Sequence, residues 1–119
     1  MSNSKTIRIL IIEPCKAPYA AEIPLGLESL QSLVCGLIQA LCIDDVALIC
    51  HEEGKLVGLP WNRPLFDGEG NLYDVIAGTF LVAGLTEDDF GSLSDEQMEK
   101  YTEVFRKWIT SELIFGGEL

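Results

Sequence analysis

The sequence is short of cations and nearly without histidine: eight lysines and arginines and the single His51 stand among 119 residues. A histidine-dependent nucleophile would have to be built from His51 and a cysteine. Its chain neighbour Cys50 would point to the opposite face of a strand, so that pair is a poor dyad. Long hydrophobic runs are also missing, because Arg8, Glu13, Gln39, Asp44 and Asp45 cut every apolar stretch below membrane-spanning length. The polar residues before Thr6 lead into Ile7 to Ile12, too short for a signal-peptide core and without a small-residue cleavage site after it. A cytoplasmic protein without membrane association is expected.

The scarcity of cations leaves nineteen acids unbalanced, for a net charge of −11. Such a field repels phosphate backbones, so direct nucleic-acid binding is not expected. It suits a basic protein surface, or a protein that imitates DNA. The acidity is concentrated late in the chain, with nine acidic against three basic residues from Glu87 on. Cys-x-x-Cys spacing is absent among Cys15, Cys35, Cys42 and Cys50, so no metal is expected. The thiols read as reduced and mostly packed in the core, with Cys15 alone near the surface beside Lys16.

What remains is an ordinary globular composition, 48% apolar and 23% charged, at the size of a single domain spanning 1–119. Thr6 to Glu13 is β-branched and apolar and reads as a buried strand that Pro14 ends. A short edge strand is expected between Cys15 and Pro24. Leu27, Leu30, Leu33, Val34 and Leu37 recur at helical steps, and Gly36 supplies the left-handed residue that closes such a helix. Leu37 to Ile43 and Val46 to Cys50 flank Asp44-Asp45 as a hairpin, and a reversal at Glu53-Gly54 extends the meander into a strand from Lys55 to Leu59. Proline, glycine, asparagine and aspartate predict a long loop from Leu59 to Tyr73, followed by a strand from Ile76 to Leu85 in which Gly78 and Gly84 mark bends or close backbone approach.

The sharpest local signal is Ser94-Asp-Glu-Gln97, a capping box with Leu93 and Met98 as its hydrophobic staple. Behind it Met98, Tyr101, Phe105, Trp108 and Ile109 form one apolar stripe, with Glu96/Lys100 and Glu103/Lys107 as surface pairs. The order of elements predicts an α+β, two-layer fold, a mostly antiparallel sheet with two helices on one face.

Catalytic and cofactor motifs are absent. Asp67-Gly-Glu-Gly70 has glycines but no lysine or strand-to-helix setting for phosphate, so it is a turn. The acid pairs Asp44-Asp45, Glu52-Glu53 and Glu87-Asp-Asp89 fall at turns, where solvated carboxylates belong. No cofactor and no catalytic residue is assigned, and an enzyme is not the expected reading. The candidate binding residues are Trp61, Asn62 and Arg63, an aromatic, an amide and a guanidinium between Pro60 and Pro64. Trp61 and Arg63 are expected to be at least partly exposed. The structural alternative has Trp61 capping the core and Arg63 paired with an acid.

Six segments taken together resemble a family, the domain of unknown function numbered 3846. They are Ile12-Glu-Pro-Cys-Lys16, Leu27-Glu-Ser-Leu-Gln31, Glu53-Gly-Lys-Leu56, Gly58-Leu-Pro-Trp-Asn-Arg63, Tyr73-Asp-Val-Ile-Ala-Gly-Thr-Phe80 and Leu93-Ser-Asp-Glu-Gln97. One departure is Cys15, where the resemblance implies glycine before the lysine. The resemblance implies an intracellular, phage or mobile-element setting and no established activity, cofactor or functional residue. The expected function is that of a non-enzymatic accessory protein, a protein-binding or counter-defence module for a host or mobile-element protein. The alternative is a module for a small, nucleotide-like ligand, with Arg63 on its anion and Trp61 stacked on its ring.

Overall fold

In the computed structural model, which describes residues 5–107, the apolar run after Lys5 forms β1 (Thr6–Ile12). Its alternation divides the core in two. Ile7, Ile9 and Ile11 enter one cluster, Leu10 and Ile12 the other. A strand buried on both faces has to be apolar at nearly every position, which is why no polar alternation was visible in the sequence. The chain turns back as β2 (Tyr19–Pro24), the expected edge strand, antiparallel to β1.

Helix α1 (Leu27–Val34) packs through Leu30 and Val34, one turn apart and both buried, over Ala47, Ile49, Leu81 and Ala83. Its left-handed closing residue is Cys35, with φ 65°, and not Gly36 as expected. Gly36 is needed for space: a Cβ there would lie 2.3 Å from His51 Nε2.

The hairpin of β3 (Ile38–Ile43) and β4 (Val46–His51) turns at Asp44-Asp45 as its sequence indicates, with Asp44 at φ 53°. No strand follows from Lys55 to Leu59. The backbone closes on itself there, Val57 N–H donating to the Glu53 carbonyl at 3.0 Å and Leu59 N–H to that of Gly54 at 3.0 Å. The expected long loop is instead a second hairpin, β5 (Trp61–Phe66) with β6 (Leu72–Ala77). Pro64 fits because this sheet has two strands, so a residue without an N–H costs no bond on the unpaired side. Its turn is built by Asp67, whose Oδ1 accepts from Glu69 N–H and Asn71 N–H, both at 2.9 Å.

The single strand expected from Ile76 to Leu85 is divided at Gly78, whose φ of 87° belongs to glycine, and β7 (Phe80–Leu85) begins beyond it. At Gly84 the anticipated close approach is the Ser92 carbonyl oxygen, 2.3 Å from where a Cβ would stand. Short β8 (Phe90–Gly91) pairs with β7.

Helix α2 (Asp95–Arg106) starts with the full capping box: Gln97 N–H donates to Ser94 Oγ at 3.1 Å and Ser94 N–H to Gln97 Oε1 at 2.9 Å. Leu93, Met98, Tyr101 and Phe105 are buried, whereas Trp108 and Ile109 of the anticipated stripe lie outside the described residues. Of the expected surface pairs, Lys100 reaches Asp44 at 3.9 Å and Glu103 pairs with Arg106 at 3.4 Å.

The main sheet runs β2-β1-β7-β4-β3 with every pairing antiparallel. The α+β class with an antiparallel sheet and two helices is therefore what the chain adopts. The layering differs from expectation in one respect. Helix α1 covers one face, while α2 and the second hairpin cover the other, because β1, β4 and β7 present apolar side chains both ways.

Candidate functional site

The three residues singled out in the sequence do not form one exposed surface. Trp61 is 41% exposed, but Asn62 and Arg63 are completely buried, against the expectation that Arg63 would be open to solvent. A register irregularity between Trp61 and Arg63 sets Asn62 apart from the regular ladder of β5 with β6. Its side chain is turned to the interior. There Nδ2 donates to the Ile12 carbonyl at 2.9 Å and to the Gly78 carbonyl at 2.8 Å, joining the end of β1 to the turn before β7.

Asn62 Oδ1 in turn accepts from Arg63 Nη1 at 2.7 Å. Arg63 Nε donates to the Phe105 carbonyl at 2.7 Å and Nη2 to the Lys16 carbonyl at 2.6 Å. No carboxylate pairs with this guanidinium among the described residues. Burial pushes its pKa down, and the adjacent Cys15 acts in the opposite sense. A guanidinium stays charged under such a shift, and three oxygen acceptors with the negative end of α2 behind one of them stand in for a counter-ion. Phe105 is one of the last residues of α2, so its carbonyl has no helical partner among the described residues. Arg63 supplies that partner from the side.

Ile12, Lys16, Asn62, Arg63 and Gly78 belong to three of the segments that carry the family resemblance. They meet at this one node. Asn62 and Arg63 are thus a clamp that positions β1, the second hairpin and α2 against one another. The acceptors are mostly main-chain carbonyls, which leave no mark in a sequence, so the burial of Arg63 had no signal to be read from.

Around the clamp, Trp61 at the start of β5 follows a loop that carries two other exposed apolar residues, Leu56 at 83% and Val57 at 57%. The loop is held by its own turns and by Gly78 N–H donating to the Pro60 carbonyl at 2.7 Å. A cavity of about 280 Å³ opens beside it, lined by Gln39, His51, Lys55 and Asp74 among others. Lys55 and Asp74 form an ion pair at its wall. His51 Nδ1 accepts from Glu53 N–H at 2.9 Å, so its ring is part of the turn.

The cysteines depart from expectation. Cys50 is buried, and burial and then the charge of Asp74 push its thiol pKa up. Cys15, Cys35 and Cys42 are all exposed. Cys15 has φ 63°, so the position where glycine was implied does require a left-handed residue.

Asp45 is a residue whose role sequence reasoning missed. Assigned to a solvated turn, it accepts from Gln97 Nε2 at 2.8 Å and from the Tyr101 hydroxyl at 3.0 Å. These bonds, Gln97 first, hold its carboxyl below the usual range, while burial and the Asp45 charge push the Tyr101 hydroxyl up.

A family model described as "Domain of unknown function (DUF3846)" matches residues 7–106. No curated protein and no solved structure matches the chain.

Proposed function

The chain belongs to the DUF3846 family, and from that premise we propose that it is a non-enzymatic protein-binding module, an accessory or counter-defence protein of a phage or mobile element. The observation that supports this reading is the apolar loop: Leu56, Val57 and Trp61 lie exposed within six positions of a chain that is otherwise strongly acidic. Exposed apolar side chains on a loop closed by its own hydrogen bonds suit a binding surface, because little order remains to be imposed on association. The exposed acids of α2, Asp95, Glu96, Glu99 and Glu103, would steer a basic partner towards the same domain. The alternative, a nucleotide-like ligand with Arg63 on its anion, has lost its contact: the guanidinium is buried and directed at three protein oxygens.

The test is retention of a host or element protein by the immobilised chain, compared with Trp61→Ala. A partner held in fixed ratio by the wild type and lost by the variant, with thermal melting little changed, supports the reading. Loss of binding together with a collapse in melting temperature would return Trp61 to the scaffold.

A further inference from the structure

The main sheet has two outer strands, and the chain treats them differently. β2 is guarded by Glu22 within it and by Pro18 and Pro24 at its ends, devices that discourage a further strand. β3 has none. From Gly36 to Ile43 there is no charge and no proline, and Gln39, Ala40 and Cys42 are exposed.

The turn fixes which backbone groups face outward. Two residues, Asp44 and Asp45, separate Ile43 from Val46, which makes these a hydrogen-bonded pair. The same phase is reached at the other end, where Glu52 N–H donates to the Leu37 carbonyl at 2.8 Å. Alternation then directs the N–H and C=O of Ile38, Ala40 and Cys42 away from β4. No described residue bonds to them on that side.

We infer that β3 pairs with β3 of a second copy of this chain, antiparallel about a two-fold axis at Ala40. That register sets Ala40 opposite Ala40 and Ile38 opposite Cys42 of the other copy, so all outward groups of the three residues are satisfied. The two-fold register argues for a copy of this chain, because one edge supplies both the donors and the acceptors of every bond across it. Each chain carries −11, yet the eight residues from Gly36 to Ile43 bring no like charges together, and the Asp44 turn of each copy falls beside the other's Gly36. A single strand pair is a small interface, so the dimer is weak, forms at high protein concentration and strengthens with salt as the repulsion between acidic bodies is screened.

Sedimentation equilibrium of the full chain reads this directly, as a rise from the 13.1 kDa monomer towards twice that mass with concentration and with salt. Ala40→Pro removes an outward N–H without taking a bond from β4, and is expected to give a monomer that melts like the wild type. Should proline disturb the hairpin, Ala40→Lys places like charges opposite each other and is expected to do the same. The register has its own readout: Ile38→Cys should cross-link to Cys42 of the other copy on oxidation, and Ile38→Cys combined with Cys42→Ser should not. A mass that stays at the monomer under all conditions overturns the inference and leaves the edge to an extended segment of another protein. A dimer that persists in both Ala40 variants overturns it too.

Discussion

The Arg63 Nε–H meets the Phe105 carbonyl oxygen at 2.7 Å although the two residues stand 42 positions apart in the chain. Arg63→Ala leaves three acceptors, two of them buried, without this donor and a void where the side chain was. The expected loss is about 3–5 kcal/mol of folding stability, measured by urea unfolding. Arg63→Lys should recover little of it, because an ammonium cannot serve three acceptors set for a planar fork. A variant with unchanged stability would mean the clamp is not what holds these elements.

Acid should loosen the start of α2. Asp45 has a folded pKa below its unfolded value, held down by Gln97 and then Tyr101, so its stabilising effect is present above the unfolded pKa and is lost as pH falls through the folded one. Glu13 and Asp67 shift the same way, Glu13 through Tyr19 and Lys16 and Asp67 through the backbone of its turn. Melting temperature should fall across the carboxylate range on acidification, and Asp45→Asn should flatten part of that fall. An identical pH profile in the variant would remove Asp45 from the account.

Cys15→Gly should stabilise the chain. At φ 63° a side chain pays a steric penalty that glycine does not, partly offset by the greater freedom of glycine when unfolded. The net gain is up to about 1 kcal/mol. Chemical denaturation under reducing conditions decides the sign.

Leu30, 2% exposed beneath α1, should cost on the order of 2–5 kcal/mol when cut to alanine. That is a large share of the roughly 5–15 kcal/mol of an ordinary domain. The cost is read from the shift in denaturant midpoint at constant slope.

Where side chains alone specify an element, the sequence was legible. Ser94 and Gln97 bond each other across one turn, and Leu30 and Val34 share a face, so both helices could be placed from spacing. The α1 stop was missed by one residue, because Gly36 is demanded by the His51 ring and Cys35 takes the left-handed turn. The second hairpin was illegible for a related reason. Pro64 and Asn62 are poor strand residues within a large sheet and acceptable in a two-stranded one, and nothing local tells which sheet a strand will join. In the candidate site, Trp61 kept its exposure while Asn62 and Arg63 turned inward to carbonyls that only the finished fold brings together.

The clamp also bears on the order of events in folding. Its bonds close loops of 42, 47 and 50 residues, and it can form only after β1, the second hairpin and α2 have each been built and docked. A clamp that closes only once these elements have docked forms after the rate-limiting step, so removing Arg63 should leave the folding rate nearly unchanged and accelerate unfolding. The residue would then govern how long a folded molecule survives, more than how quickly it is made.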